Sequence, residues 1–215
     1  MDKNEIIKRM GAEWLCLIMR GDTADETIRT FEALIAGGAK IIEAAFTTPN
    51  VCEAIRHLRK NHGDNIILSA GTVRTAEQAQ MAVDAGAQVI VSPNLYSDVV
   101  ETALKNGCVS MPGCVTPSEV DNALRMGADL IKLFPCSPLG PEYLSYLIAP
   151  MPEAKIVPAG SITLDNMKDY YARGAFGGVA GVTTEMQLLA AIKAGKWSEV
   201  TNAARHWTER VREML

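Results

Sequence analysis

Short apolar runs recur along this chain, and most of them follow a glycine that closes a helix-like stretch. The glycines sit in AGGAK at Gly38, NHGDN at Gly63, DAGAQ at Gly86, KNGCV at Gly107, RMGAD at Gly127 and ARGAF at Gly174. Their spacing is about 20 to 25 residues, with one gap near double that between Gly127 and Gly174, a period that holds a strand, a helix and two tight loops. Glycine fits the end of a helix because it enters the left-handed region without a Cβ penalty. The apolar runs lack polar alternation, which predicts parallel strands buried on both faces. They are WLCLIM (14–19), KIIEAAF (40–46), NIILSA (65–70), QVIVS (88–92), CVSM (108–111), LIKLF (130–134), KIVPA (155–159) and GGVAGV (177–182).

Helix starts are marked as well. Thr23-Ala-Asp-Glu26, Thr75-Ala-Glu-Gln78, Thr116-Pro-Ser-Glu119 and Thr184-Glu-Met-Gln187 match the capping-box pattern, each just after a predicted strand. Alternating strands and helices with short loops predict a parallel sheet with right-handed crossovers. Eight such units predict an α/β fold of the (β/α)8 (TIM) barrel type, with an open doubly wound sheet as the alternative. The 215 residues suffice for one compact barrel domain spanning 1–215 and leave no room for an inserted domain.

Composition narrows the function classes. Apolar residues make up 48% and charged residues 21% of the chain, as expected for a packed globular interior. A net charge of −4 gives no general attraction to nucleic acid or to an anionic membrane. No stretch reaches the roughly 18 apolar residues of a membrane span, and the N-terminal MDKNEIIKRMGAEW lacks the apolar core of a signal peptide. Five scattered cysteines without a CxxC predict reduced thiols in a cytoplasmic protein.

Two charged residues interrupt the apolar strands: Glu43 in IIEAAF and Lys132 in LIKLFP. Strand alternation turns Ile131 and Leu133 to one side and Lys132 to the other, and treats Ile42, Ala44 and Glu43 in the same way. Both charged side chains are therefore expected inside the barrel. A lysine stem can pack on a strand while its ammonium reaches water, and the pair could be a simple interior salt bridge. The chemical reading is that an amine against an apolar wall spends more time uncharged and can attack a carbonyl, with the carboxylate moving protons. Active sites of such barrels lie at the C-terminal strand ends. There, Arg20, Thr72 and Arg74 are candidates for binding a carboxylate. PAGSI (158–162) and AGV (180–182) are candidates for holding an anion through backbone amides. His57, His62 and His206 have no ligand spacing, and no metal site is expected.

The segments AGGAKIIEAAFTTP, SAGTV, VIVSPN, MPGCVTPSE, GADLIKLFP and the GP of PLGPEY together resemble the 2-keto-3-deoxy-6-phosphogluconate (KDPG) and 4-hydroxy-2-oxoglutarate (KHG) aldolase family. The resemblance runs from about Arg20 to Gly181 and implies a class I lyase that needs no metal and acts on a small 2-keto acid. It implies that Lys132 forms the Schiff base and that Glu43 is the general acid/base. It further places Arg20, Thr47, Thr72, Pro93, Phe134, Ala159, Gly160, Ser161 and Gly181 around the substrate, and it implies a homotrimer.

Four residues in three places depart from the family pattern. The seventh strand ends Pro158-Ala159-Gly160-Ser161 where the family has Pro-Thr-Gly-Gly, Val182 follows Gly181 where a serine is usual, and Thr47 stands where many members carry arginine. Each change removes a donor for an anion, and a hydrogen bond to a charged group is worth roughly 1.5–3 kcal/mol. Ser161, Thr183 and Thr184 are the residues available to replace them. The alternative to an aldolase is a divergent barrel relative: a ligand sensor, or a phosphate-binding isomerase that does not use Lys132 as a nucleophile.

Overall fold

The computed structural model describes residues 1–215, and each of the eight apolar runs contains a strand. The strands are β1 (Leu15–Met19), β2 (Ile41–Ala45), β3 (Ile67–Gly71), β4 (Val89–Val91), β5 (Val109–Met111), β6 (Gly113–Cys114), β7 (Ile131–Leu133), β8 (Ile156–Pro158) and β9 (Gly178–Gly181). They alternate with helices α1 (Lys3–Glu13), α2 (Ala24–Ala36), α3 (Val51–His62), α4 (Ala76–Ala85), α5 (Ser97–Lys105), α6 (Pro117–Arg125), α7 (Gly140–Ile148), α8 (Met167–Ala172), α9 (Leu189–Lys193) and α10 (Trp197–Met214). Just past the fifth run, Pro112 has no amide hydrogen to give to a ladder and separates β5 from the two-residue β6, which no predicted run covers.

Every strand pairing is parallel. Six strands lie in the order β5-β4-β3-β2-β1-β9 and three in the order β6-β7-β8. The result is an α/β fold whose parallel strands curl into a half-barrel, so the single ring expected from the sequence is here divided between two sheets. Between the sheets run a parallel bridge from Ala159 to Val179 and a bond from Leu130 N–H to the Ser110 carbonyl (3.1 Å).

Side-chain alternation sorts the strands into two cores. Leu17, Ile42, Ala44, Leu68, Ile131, Leu133 and Ile156 face outward and pack with Phe31, Leu34, Ile55 and Leu58 of the helices in a cluster of 52 buried residues. A separate cluster of 15 fills the inside, with Cys16, Ile18, Ile41, Ile67, Val89, Val109 and Val157 from the strands and Leu130 from just before β7. Full burial of each Val or Ile there contributes roughly 1.5–3 kcal/mol. Ile6 and Met10, one helical turn apart on α1, join this inner cluster and cover one end of it. α1 leaves no apolar stripe in the sequence, because only those two of its residues are buried. Asp2 starts the helix by accepting a bond from the Glu5 amide (2.9 Å).

The glycines behave as expected: Gly38, Gly63, Gly86, Gly107, Gly127 and Gly174 all have positive φ. Thr23, Thr75 and Thr116 cap α2, α4 and α6, and Thr116 forms the full reciprocal box with Glu119. The fourth predicted box fails. Thr184 to Gln187 form a turn, Gln187 has a φ of 56°, and α9 begins only at Leu189. Thr184 bonds instead to the side chain of its neighbour, Glu185. No helix is long and apolar enough to cross a membrane.

Candidate active site

Lys132 emerges from the middle of β7, with its backbone neighbours Ile131 and Leu133 committed to the outer core. Its side chain therefore enters the interior, where the residue is only 4% exposed. Glu43 enters from the middle of β2 and is fully buried. The Lys132 Nζ lies 3.9 Å from Glu43 Oε1, too far for a hydrogen bond but well within electrostatic reach. Neither oxygen of Glu43 has a hydrogen-bond partner, nor does the hydroxyl of Ser69, which is paired across from Glu43 in the β2–β3 register. A buried carboxylate without donors is costly, so this one is open to a hydrogen-bond donor brought in by a ligand.

The surroundings fix that geometry. Gly71 ends β3, and a Cβ there would collide with the Glu43 carboxylate and its Cγ. The ring centroid of Phe134 lies 5.1 Å from Lys132 Nζ, within cation–π range. Cys16 is buried in the same interior. Burial pushes its thiol well above the usual range, with the Glu43 charge acting in the same direction and Lys132 opposing it.

Lys132 opens into a cavity of about 350 Å³ lined by Ile18, Arg20, Phe134, Ala159, Gly160, Val179, Gly181, Thr184 and Glu185. Arg20, just past β1, is exposed and makes no ion pair, which leaves its guanidinium available to an acidic ligand. Phe134 also lines a neighbouring cavity with Pro93, Gly113 and Val115. A cavity of about 430 Å³ near Leu15, Gly38, Lys40 and Val211 lies at the N-terminal strand ends and contains no buried ionisable pair.

Of the residues singled out in the sequence, Arg20, Phe134, Ala159, Gly160 and Gly181 line the Lys132 cavity, and Pro93 lines the adjoining one. Thr72 follows β3 in a left-handed conformation (φ 58°), a strain of about 1–3 kcal/mol for a non-glycine residue, but does not line the cavity. Thr47 and Arg74 are exposed and also stand outside it. Ser161 takes part through its backbone: its N–H donates to Glu185 Oε1 (2.9 Å). The other oxygen of Glu185 accepts from the Gly181 N–H (2.7 Å) and from the Thr184 hydroxyl. Glu185 was missed in the sequence, where it reads as the second residue of a capping box. No group of three or more His, Cys, Asp and Glu is placed to hold a metal ion.

The sequence model of the KDPG and KHG aldolase family matches residues 6–203. The chain belongs to that family. The aldolase is 33% identical over 168 residues to the 2-dehydro-3-deoxy-6-phosphogalactonate aldolase of Escherichia coli (strain K12), covering 78% of this chain and 82% of that one. It is 36% identical over 184 residues to the 2-dehydro-3-deoxy-phosphogluconate aldolase of Treponema pallidum (strain Nichols), covering 84% and 85%. Its fold superposes with a TM-score of 0.84 on the KDPG aldolase of Legionella pneumophila, at 26% identity over 94% of this chain and 97% of that one. The Legionella structure holds pyruvate as a covalent carbinolamine intermediate. In the present aldolase, the cavity offers one buried amine, one unpaired guanidinium and one carboxylate already held by amides, while the Glu43 carboxylate lies behind the amine, fully buried and outside the cavity lining.

Proposed function

We propose that this enzyme is a class I aldolase that cleaves a 2-keto-3-deoxy sugar acid or 4-hydroxy-2-oxoglutarate into pyruvate and an aldehyde. The observation that carries this reading is the buried Lys132–Glu43 pair, 3.9 Å apart, with the carboxylate free of other partners. The carbinolamine trapped in the Legionella relative supports it.

The chemistry follows from the two groups. The uncharged Lys132 amine adds to the C2 carbonyl of the substrate, and loss of water leaves an iminium. Glu43, directly or through water, takes the proton of the C4 hydroxyl as the C3–C4 bond breaks. The electrons of that bond move into the iminium, giving an enamine, and the C4 fragment leaves as the aldehyde. The enamine gains a proton at C3, and water releases pyruvate and the free lysine. The iminium is thus the electron sink and no metal is required. Arg20 is the residue proposed to pair with the substrate carboxylate. Phe134 packs beside the iminium, while Gly160, Ser161 and Gly181 present backbone at the far end of the cavity, with Ala159 below them. Pro93, which lines the adjoining cavity, is assigned to its outer rim.

The scaffold proposed for this site is the closed (β/α)8 barrel. The Ala159–Val179 bridge on one side and the Leu130–Ser110 bond on the other support closure. Five unpaired thiols support a cytoplasmic setting. A homotrimer, implied by the family, would give a light-scattering mass near three times the 23.2 kDa of one chain.

Trapping tests the reading directly. Incubation with pyruvate and sodium borohydride should leave a stable 1-carboxyethyl group on the Lys132 Nζ, located by peptide mass spectrometry, and Lys132→Ala should abolish it. Folded protein that yields no adduct at Lys132 in ample pyruvate would remove the Schiff-base mechanism.

A further inference from the structure

The far end of the Lys132 cavity is closed by one of the protein's own anions. The ends of β8 and β9 approach each other there, and Gly160 (φ 89°) and Ser161 (φ 70°) turn in the left-handed region. That turn aims the Ser161 N–H, and the end of β9 aims the Gly181 N–H, at a common point. Two converging amides of this kind form an anion-binding nest. The point is occupied by the Glu185 carboxylate, which takes one amide on each oxygen and the Thr184 hydroxyl in addition. Gly181 is fitted to this arrangement, since a Cβ there would collide with Thr184 Oγ1 and Glu185 Oε2.

We infer that Glu185 makes this aldolase selective for 2-keto acids whose far end carries hydroxyl groups and not phosphate. The inference rests on the aldolase reading above. Its logic is electrostatic and stoichiometric. A phosphate entering this nest meets amides already engaged and a fixed negative charge beside them, and like charges brought together across a contact reject a ligand strongly. A carboxylate has about four acceptor positions, of which Glu185 uses three, so it still accepts from a donor. A hydroxyl is a donor; a phosphate dianion offers only acceptors. Arg20 lines the same cavity, but an arginine serving the substrate's own carboxylate does not neutralise a second anion at the other end.

The test compares turnover of 2-keto-3-deoxygluconate and its 6-phosphate by the wild-type chain, Glu185→Gln and Glu185→Ala, following pyruvate release. The wild type should favour the unphosphorylated acid in kcat/KM by about tenfold or more, a difference of about 1.4 kcal/mol. Glu185→Ala should move that ratio toward the phosphate by a similar factor. Glu185→Gln, which keeps the shape and removes the charge, should move it part-way and guards against a folding defect in the alanine variant. A wild type that prefers the phosphate, or a ratio unchanged within about twofold in both variants, overturns the inference, because a carboxylate that merely ties two strand ends together would not set the ratio. Calorimetry with inorganic phosphate reads the same nest without turnover. No binding at millimolar phosphate by the wild type and binding by Glu185→Ala supports the inference; binding by the wild type, or by neither protein, overturns it. Failure of the aldolase reading is recognised separately, by the absence of a pyruvate adduct on Lys132.

Discussion

Glu43 is the residue whose environment says most about the chemistry. A fully buried carboxylate that lies 3.9 Å from an ammonium and bonds to nothing is a poor structural element, because desolvation costs more than so loose a pair returns. Glu43→Gln is therefore expected to lower kcat by about 10²-fold or more, the usual contribution of a general acid/base, while leaving the melting temperature unchanged or higher. Steady-state kinetics and thermal unfolding by circular dichroism check the two halves, and a large fall in stability with kcat intact would reassign Glu43 to a structural role. Lys132 and Glu43 were legible in the sequence because a charge inside a run such as IIEAAF or LIKLF has only one side to face once its neighbours are apolar. Glu185 was not. Its partners are the amides of Gly181, four residues away, and of Ser161, 24 residues away, and a backbone amide carries no residue identity to read.

The pairing of β2 with β3 sets how deep the site can be. Glu43 is registered with Ser69 and Ala45 with Gly71, so the carboxylate extends over the end of β3 onto the one position that lacks a Cβ. Gly71→Ala should displace the carboxylate and lower kcat/KM by about 10- to 100-fold, since misplacement of a reacting group by about 1 Å costs on that order. The borohydride adduct on Lys132 should survive, because the amine sits on β7. Loss of the adduct as well would mean that the whole interior had shifted. Elements that announce themselves by repetition, the eight apolar runs and their glycines, were read correctly. Elements that depend on one local contact were not. Helix α1 buries only Ile6 and Met10, too few to print an apolar stripe, and the Thr184 turn has the spacing of a helix start without being one.

At the scale of the whole molecule, five unpaired thiols lie buried among the strands and helices. Burial raises Cys16, Cys52, Cys108, Cys114 and Cys136, the Cys114 thiol to about 12 from an ordinary value of 9.0, with Glu119 adding to the effect. A raised folded-state value means that the folded chain keeps these protons after the unfolded chain has released them. The associated stability is whole at neutral pH, shrinks as the pH climbs past about 9, and for Cys114 is gone near 12. The melting temperature should accordingly fall steadily above pH 9, and Cys114→Ala should flatten that slope relative to the wild type. A melting temperature flat from pH 8 to 11 would show that the thiols ionise without unfolding. An open doubly wound sheet is the other architecture that eight alternating units allow. The curled strands turn away from it by giving the chain an inside, and only an inside can hold Lys132 and Glu43 together.

The two parts of the site are rooted in different material. Lys132 and Glu43 stand on strand backbone locked into ladders on both sides, whereas Arg20, Ser161, Thr184 and Glu185 stand on the short segments that follow strand ends. A lineage or a laboratory changing the second set leaves the bond-breaking groups where they are. Directed evolution confined to those four positions therefore has a short route to new aldehyde partners, with the reaction itself held constant throughout the search.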